Sequence, residues 1–271
     1  MRHPYGIILL ISFAIIPLAL LSLLHNFKTL AMKQFLLLSI FSLFSLHQFA
    51  QHSNVVISEG NGLSEPSIFV DPNNTDRVVA GAIIDKYYYS EDGGFSWNSG
   101  ALSSPYGVWG DPVLIVDGFG DYYYFHLSNP GSGGSWIDRI VCQKSTDGGL
   151  SWSSGNYMGL NGTKAQDKQW AIVDYTNNNI YVTWTQFDSY GSTSPLHYSN
   201  IHFSKSTDNG ESWSEAIQIN EVSGDCLDEG NTTEGAVPAV GPNGEIYVSW
   251  AGPEGLVFDK SLDEGESWLE N

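Results

Sequence analysis

The chain has 271 residues, a formal charge of −19, 13% aromatic residues and only 15% charged residues. An acidic surface of that strength excludes nucleic acid and anionic membrane as partners of the main body, because both would repel it. Low charge together with abundant Gly, Tyr and Trp suits an all-β chain better than a helical one.

Residues 1–50 differ from the rest: they hold no Asp or Glu and only Arg2, Lys28 and Lys33 as bases. The remaining 30 acids and eight bases leave a formal charge of −22 after residue 50. Residues 7–24 form an uncharged apolar run interrupted by Pro17, barely long enough to span a bilayer. A second run begins afresh at Met32, with Lys33, apolar residues 35–46 and Phe49-Ala50-Gln51, which is the anatomy of a signal peptide cut after Ala50. Gln48 departs from the small residue preferred there. The expected division is an upstream extension or, alternatively, a membrane segment over 1–31, a signal peptide over 32–50, and an exported body over 51–271. Contact with membrane is expected only through the N-terminal segments.

In the body, one pattern recurs four times: Ser90-x-Asp92-x-Gly94-x-Ser-Trp97, then Ser145, Asp147, Gly149 and Trp152, then Ser206, Asp208, Gly210 and Trp213, then Ser261, Asp263, Gly265 and Trp268. The starts lie 55, 61 and 55 residues apart, so these are internal repeats of one structural unit. The Asp can accept hydrogen bonds from its own turn, the Gly permits positive φ, and the Trp lays apolar surface over the turn as the next strand opens. Short strand-like runs precede each copy, so each reads as a hairpin turn.

Upstream of each copy stands a second recurrent piece: Ile68-Phe-Val-Asp71, Leu114-Ile-Val-Asp117, Ala171-Ile-Val-Asp174 and a weaker Pro238-Ala-Val-Gly241. Each is followed by a further strand, as in Ile180-Tyr-Val-Thr-Trp184, whose alternation puts Ile, Val and Trp on one face. The unit therefore reads as four antiparallel strands, the first buried on both sides. Units of this kind at this period signify propeller blades, here about 64–104, 110–160, 168–222 and 234–271.

The Ser-x-Asp-x-Gly-x-Ser-Trp pattern resembles the Asp box of the BNR, sialidase-like superfamily, and the resemblance covers residues 64–271. It implies an all-β propeller with the boxes at the rim between third and fourth strands, away from a substrate pocket, so that the box residues are structural. Six blades or more are expected for such a propeller. Four are present and little sequence follows Trp268, so the expectation is an incomplete six- or seven-bladed propeller. The rival is a four-bladed ring in which residues 55–58 supply the outer strand of the last blade.

Chemistry is then expected on the face opposite the boxes, on the inter-blade links 60–65, 102–111, 159–168 and 223–234. Near the start of each innermost strand stands a carboxylate: Glu65, Asp111, Asp167 and Glu234, the last two one residue early in register. Converging acids can act as an acid/base pair, hold a metal ion or accept hydroxyls of a sugar, although the same residues also cap turns. Tyr106, Trp109 and Trp170 flank two of these acids and are candidate stacking platforms, or ordinary packing between blades. The sialidase resemblance implies three arginines for a substrate carboxylate. The body contains two, Arg77 and Arg139, neither in an Arg-Ile-Pro setting, so no sialidase residue transfers and sialidase activity is not expected.

No phosphate loop, zinc spacing or Gly-x-Ser-x-Gly turn is present. No cofactor is expected; the acidic stretch 225–234 offers calcium oxygen ligands without an EF-hand pattern. Cys142 and Cys226 either pair or serve as small buried hydrophobes. Two readings remain for the exported body: a glycoside hydrolase acting on an extracellular polysaccharide or glycoconjugate, and a non-catalytic propeller that binds a glycan or a protein at the cell surface.

Overall fold

The computed structural model describes residues 54–60, 62–131 and 135–269, which belong, apart from Asn54, to the compact unit Val55–Asn271. The N-terminal segments 1–31 and 32–50 lie outside the described residues. Among the described residues, every regular element is a β-strand, and no helix is long and apolar enough to cross a membrane.

Fifteen strands form four antiparallel meanders. The first holds β1 (Ser67–Val70), β2 (Val78–Ala82), β3 (Lys86–Ser90) and β4 (Asn98–Ala101). The second holds β5 (Gly110–Val116), β6 (Tyr122–Leu127), β7 (Ile140–Ser145) and β8 (Asn156–Met158). The third holds β9 (Ala165–Asp174), β10 (Asn179–Phe187), β11 (Ser199–Ser206) and β12 (Ile217–Gln218), and the fourth β13 (Glu234–Val240), β14 (Ile246–Gly252) and β15 (Gly255–Ser261). The first strands lie beside one another in the order β1, β5, β9, β13. The fourth sheet has three strands among the described residues. Residues 55–58 form no strand, and Ile57 packs on the first sheet with Ala80, Ala82, Tyr88 and Trp97, not on the last as the ring alternative required.

The most buried strands are the second ones, not the first. β6 and β10 are buried along their whole length, whereas Ile68 and Val70 of β1 are 56% and 41% exposed. The reason is position. A second strand is sandwiched between neighbouring sheets: Tyr122 and Tyr124 of β6 donate their hydroxyls to the Arg77 and Lys86 carbonyls of the first sheet. On the other side, Phe125 meets Trp213 of the third sheet edge-on, with ring centroids 5.7 Å apart. A first strand instead faces the space between the sheets.

The four Ser–Asp turns are built alike. In each, the first Ser hydroxyl donates to Asp Oδ1 at 2.8 Å. The second Ser donates its amide to Oδ1 and its hydroxyl to Oδ2. The Gly amide donates back to the first Ser hydroxyl. Donors from Ser96 and Ser267 hold Asp92 and Asp263 at a pKa of about 2. The Trp does more than cover its turn. Trp152 lies edge-on to Tyr87 of the first sheet, Trp213 to Phe125 of the second and Trp268 to Phe203 of the third. Each of these turns therefore fastens its sheet to the preceding one. Trp152 and Trp213 precede β8 and β12 by several residues and do not open them.

Candidate functional site

The turns after third strands lie at one end of the sheets; the links between sheets and the loops after second strands lie at the other. At that second end, the chain makes the same local bend four times. Glu65, Asp111, Lys168 and Gly235 take φ of 51°, 52°, 54° and 73° just before or at the start of the first strand. For the three non-glycine residues this is a left-handed, sterically costly conformation, of the kind concentrated at functional sites. Glu65 and Asp111 also precede prolines, Pro66 and Pro112, which disfavour helical backbone before them. In three of the sheets the bend coincides with a bulge: the pairing of first and second strands slips between Gly110 and Val113, between Asp167 and Trp170, and between Glu234 and Val237.

The structural equivalents of Glu65 and Asp111 are thus Lys168 and Gly235, with Asp167 and Glu234 one residue outside them. Glu65, Asp111, Lys168, Gly235 and Trp170 line one hollow. No neighbour lies within 4 Å of where a side chain on Gly235 would begin, so the hollow is open there.

The carboxyl groups couple to one another and to Lys168. A hydrogen bond with Asp111, then burial, raises the Glu65 pKa. Burial raises those of Asp111 and Asp167, and Asp167 Oδ1 accepts the Lys168 amide at 2.8 Å. Burial opposes charge on the Lys168 ammonium, but Asp167, Asp228, Asp111 and Glu234 together raise its pKa above the ordinary value. Lys168 is therefore the cation at the centre of the acids. Gln169 donates its side-chain amide to the Asp111 carbonyl and ties the third sheet to the second here.

Asp228, on the link into the fourth sheet, completes the cluster. The Tyr190 hydroxyl donates to its Oδ2 at 2.6 Å and holds its pKa down, while burial and then Asp228 push Glu234 up to about 7. Glu234 Oε2 is buried without a donor. Two neighbouring carboxyl groups disfavour each other's ionisation, and here it is Glu234 whose pKa rises while that of Asp228 falls. Asp225, by contrast, is spent on its own loop, accepting from the Leu227 amide and the Thr232 hydroxyl. Among the described residues, no three Asp, Glu, His or Cys side chains are arranged to hold a metal ion.

The three aromatic candidates part company. Trp170 is 47% exposed in the hollow. Trp109 meets Trp136 edge-on at 5.8 Å. Tyr106 packs on Tyr157, and the Arg139 guanidinium covers both rings at 5.2 and 4.6 Å. Lys168, Asp228, Tyr190 and Trp136 escape a search for carboxylates at strand starts, because three of them sit on loops and the fourth is a base. Cys142 and Cys226 are both buried free thiols and do not pair.

No family model matches the sequence, and no curated protein matches it. Among solved structures, the fold is similar to a protein of unknown function from Dyadobacter fermentans, with a TM-score of 0.55 and 19% identity over 79% of this chain and 70% of that one. It is similar to a GH93 α-L-arabinofuranosidase of Fusarium graminearum, in complex with arabinobiose, with a TM-score of 0.52 and 14% identity over 77% and 65%. It is also similar to an α-L-arabinanase of Penicillium chrysogenum complexed with arabinobiose, with a TM-score of 0.51 and 16% identity over 76% and 66%. The likeness is one of fold. These two enzymes are β-propellers, and the four-stranded antiparallel sheets of this chain fit that architecture. The chain spans just under two thirds of the length of either enzyme.

Proposed function

We propose that the chain is an exported, Asp-box type β-propeller that hydrolyses a glycan in the hollow lined by Glu65, Asp111 and Lys168, with Glu234 beside it. The observation that carries this reading is the Glu234–Asp228 pair: a carboxyl group whose pKa burial and Asp228 push up to about 7, next to one held low by the Tyr190 hydroxyl, on the face opposite the Ser–Asp turns. A general acid works best with a pKa near the working pH. Glu234 then protonates the leaving glycosidic oxygen as its bond to the anomeric carbon breaks. Across Lys168, the Asp111 carboxylate accepts a proton from the water whose oxygen adds to that carbon. Tyr190 keeps Asp228 ionised, so that the proton stays on Glu234. The four Ser–Asp turns hold the sheets together and take no part in the reaction. Export follows from the signal-peptide reading of 32–50, and N-terminal sequencing of the secreted protein should then begin at Gln51.

The test is hydrolysis of neutral oligosaccharides by the exported protein and its Glu234→Gln variant. The variant should lose about 10²–10⁴-fold in kcat with little change in Kd, and wild-type activity should fall as pH rises through about 7. An unchanged kcat in Glu234→Gln refutes the assignment. A second reading, a propeller that binds a glycan without cleaving it, is favoured by one observation: the positive charge of Lys168 lies among the carboxyl groups and favours their ionised forms. Saccharide binding with no turnover in the wild-type protein decides for it.

A further inference from the structure

Beyond the hollow, the same face carries a row of rings. Trp109, on the link before β5, meets Trp136, on the loop after β6, with centroids 5.8 Å apart and planes at 87°. Trp136 meets Tyr190, on the loop after β10, at 5.5 Å and 83°, and Tyr190 rests on Phe187 at 5.0 Å. Trp109, Trp136 and Tyr190 are 38%, 43% and 37% exposed. Single exposed aromatic residues are ordinary, but three from three separate loops, each in contact with the next, make a continuous apolar strip. The strip ends in the acid cluster, because the Tyr190 hydroxyl is the group that donates to Asp228.

The charge of the cluster selects what such a strip can deliver. Five carboxyl groups, Glu65, Asp111, Asp167, Asp228 and Glu234, surround Lys168. An anionic sugar would enter a negative hollow. Neither arginine of the body lines the hollow: Arg139 donates Nε and Nη2 to Asp138, at 2.8 and 2.7 Å, and lies over Tyr106 and Tyr157. Arg77 stands at the opposite end of the first sheet, beside the turn of Gly148. Neutral sugar rings present apolar C–H faces to aromatic rings and hydroxyls to carboxylates, and so fit both parts.

We propose that Trp109, Trp136 and Tyr190 form a binding subsite for a neutral oligosaccharide chain, leading it to the Asp228–Glu234 pair. This rests on the glycan-directed reading above and adds a substrate class and a specificity-determining residue, Trp136. The test uses the full chain and measures Kd by calorimetry. The probes are neutral arabino-, xylo- and cello-oligosaccharides of four to six units, with oligogalacturonates of the same lengths as the anionic comparison. The expected result is binding of at least one neutral series, about tenfold weaker in Trp136→Ala and largely restored in Trp136→Tyr, with the thermal midpoint unchanged in both. Affinity for the neutral series that is the same in Trp136→Ala overturns the subsite, and it does so whether or not Glu234→Gln abolishes turnover. Tighter binding of the oligogalacturonates overturns the neutral class. Trp136-dependent binding without turnover supports the subsite while removing the hydrolytic assignment, and binding of none of these saccharides overturns both.

Discussion

The Ser–Asp turns fasten successive sheets, and Gly210 is where that claim can be measured. Gly210 has φ +79°, and a Cβ added there would stand 2.8 Å from Cε1 and 3.1 Å from Cδ1 of Tyr123 in the preceding sheet. Tyr123 cannot swing aside: its ring is fully buried and its hydroxyl donates to Asp117 Oδ2 at 2.8 Å. Gly210→Ala should therefore cost about 1–2 kcal/mol for the left-handed backbone and about 1–3 kcal/mol for overpacking. Gly162 supplies the control, since its φ is +61° but nothing lies within 4 Å of the added atom. Gly162→Ala should show the backbone cost alone. Urea unfolding of both variants measures the two costs, and their difference, about 1–3 kcal/mol, is the contact between sheets. Equal midpoints for the two variants would refute the idea that the turn packs across the sheet boundary.

Two further predictions concern buried groups. His202 stacks on Trp184 at 5.9 Å with both ring nitrogens unpartnered, and burial lowers its pKa from 6.5 to about 4. Its contribution to stability is present above pH 6.5 and lost as pH falls through about 4; by urea unfolding, His202→Phe should remove part of that loss, and an unchanged pH slope would count against it. His126, also at about 4, accounts for the remainder of the histidine effect in that window. Burial pushes the Cys142 and Cys226 thiols up, so a thiol reagent should label neither in the folded protein and both in denaturant without reductant. A requirement for reductant would show a disulfide that the structure does not contain.

What the sequence determined by itself is local. The Ser-x-Asp-x-Gly-x-Ser-Trp turns close on hydrogen bonds spanning two to four residues, so their form follows from the residues that write them. The place of the inner bend was also legible: six residues back from Asp71, Asp117 and Asp174 stand Glu65, Asp111 and Lys168. A search for acids passes over Lys168 there, although register alone names it. Only the tertiary structure decided the rest. Alternation along a strand says which side chains share a face, not which strand is sandwiched between sheets, so β6 and β10 could not be told from β1 as the buried ones. Nor does spacing bring the links and loops carrying Trp109, Trp136, Tyr190 and Asp228 together, since their contacts join residues 27 to 54 positions apart and depend on how neighbouring sheets are set. Tyr106 and Trp109, three residues apart, show the same limit: one is covered by Arg139 and the other left open, because a guanidinium anchored to Asp138 reaches only the first.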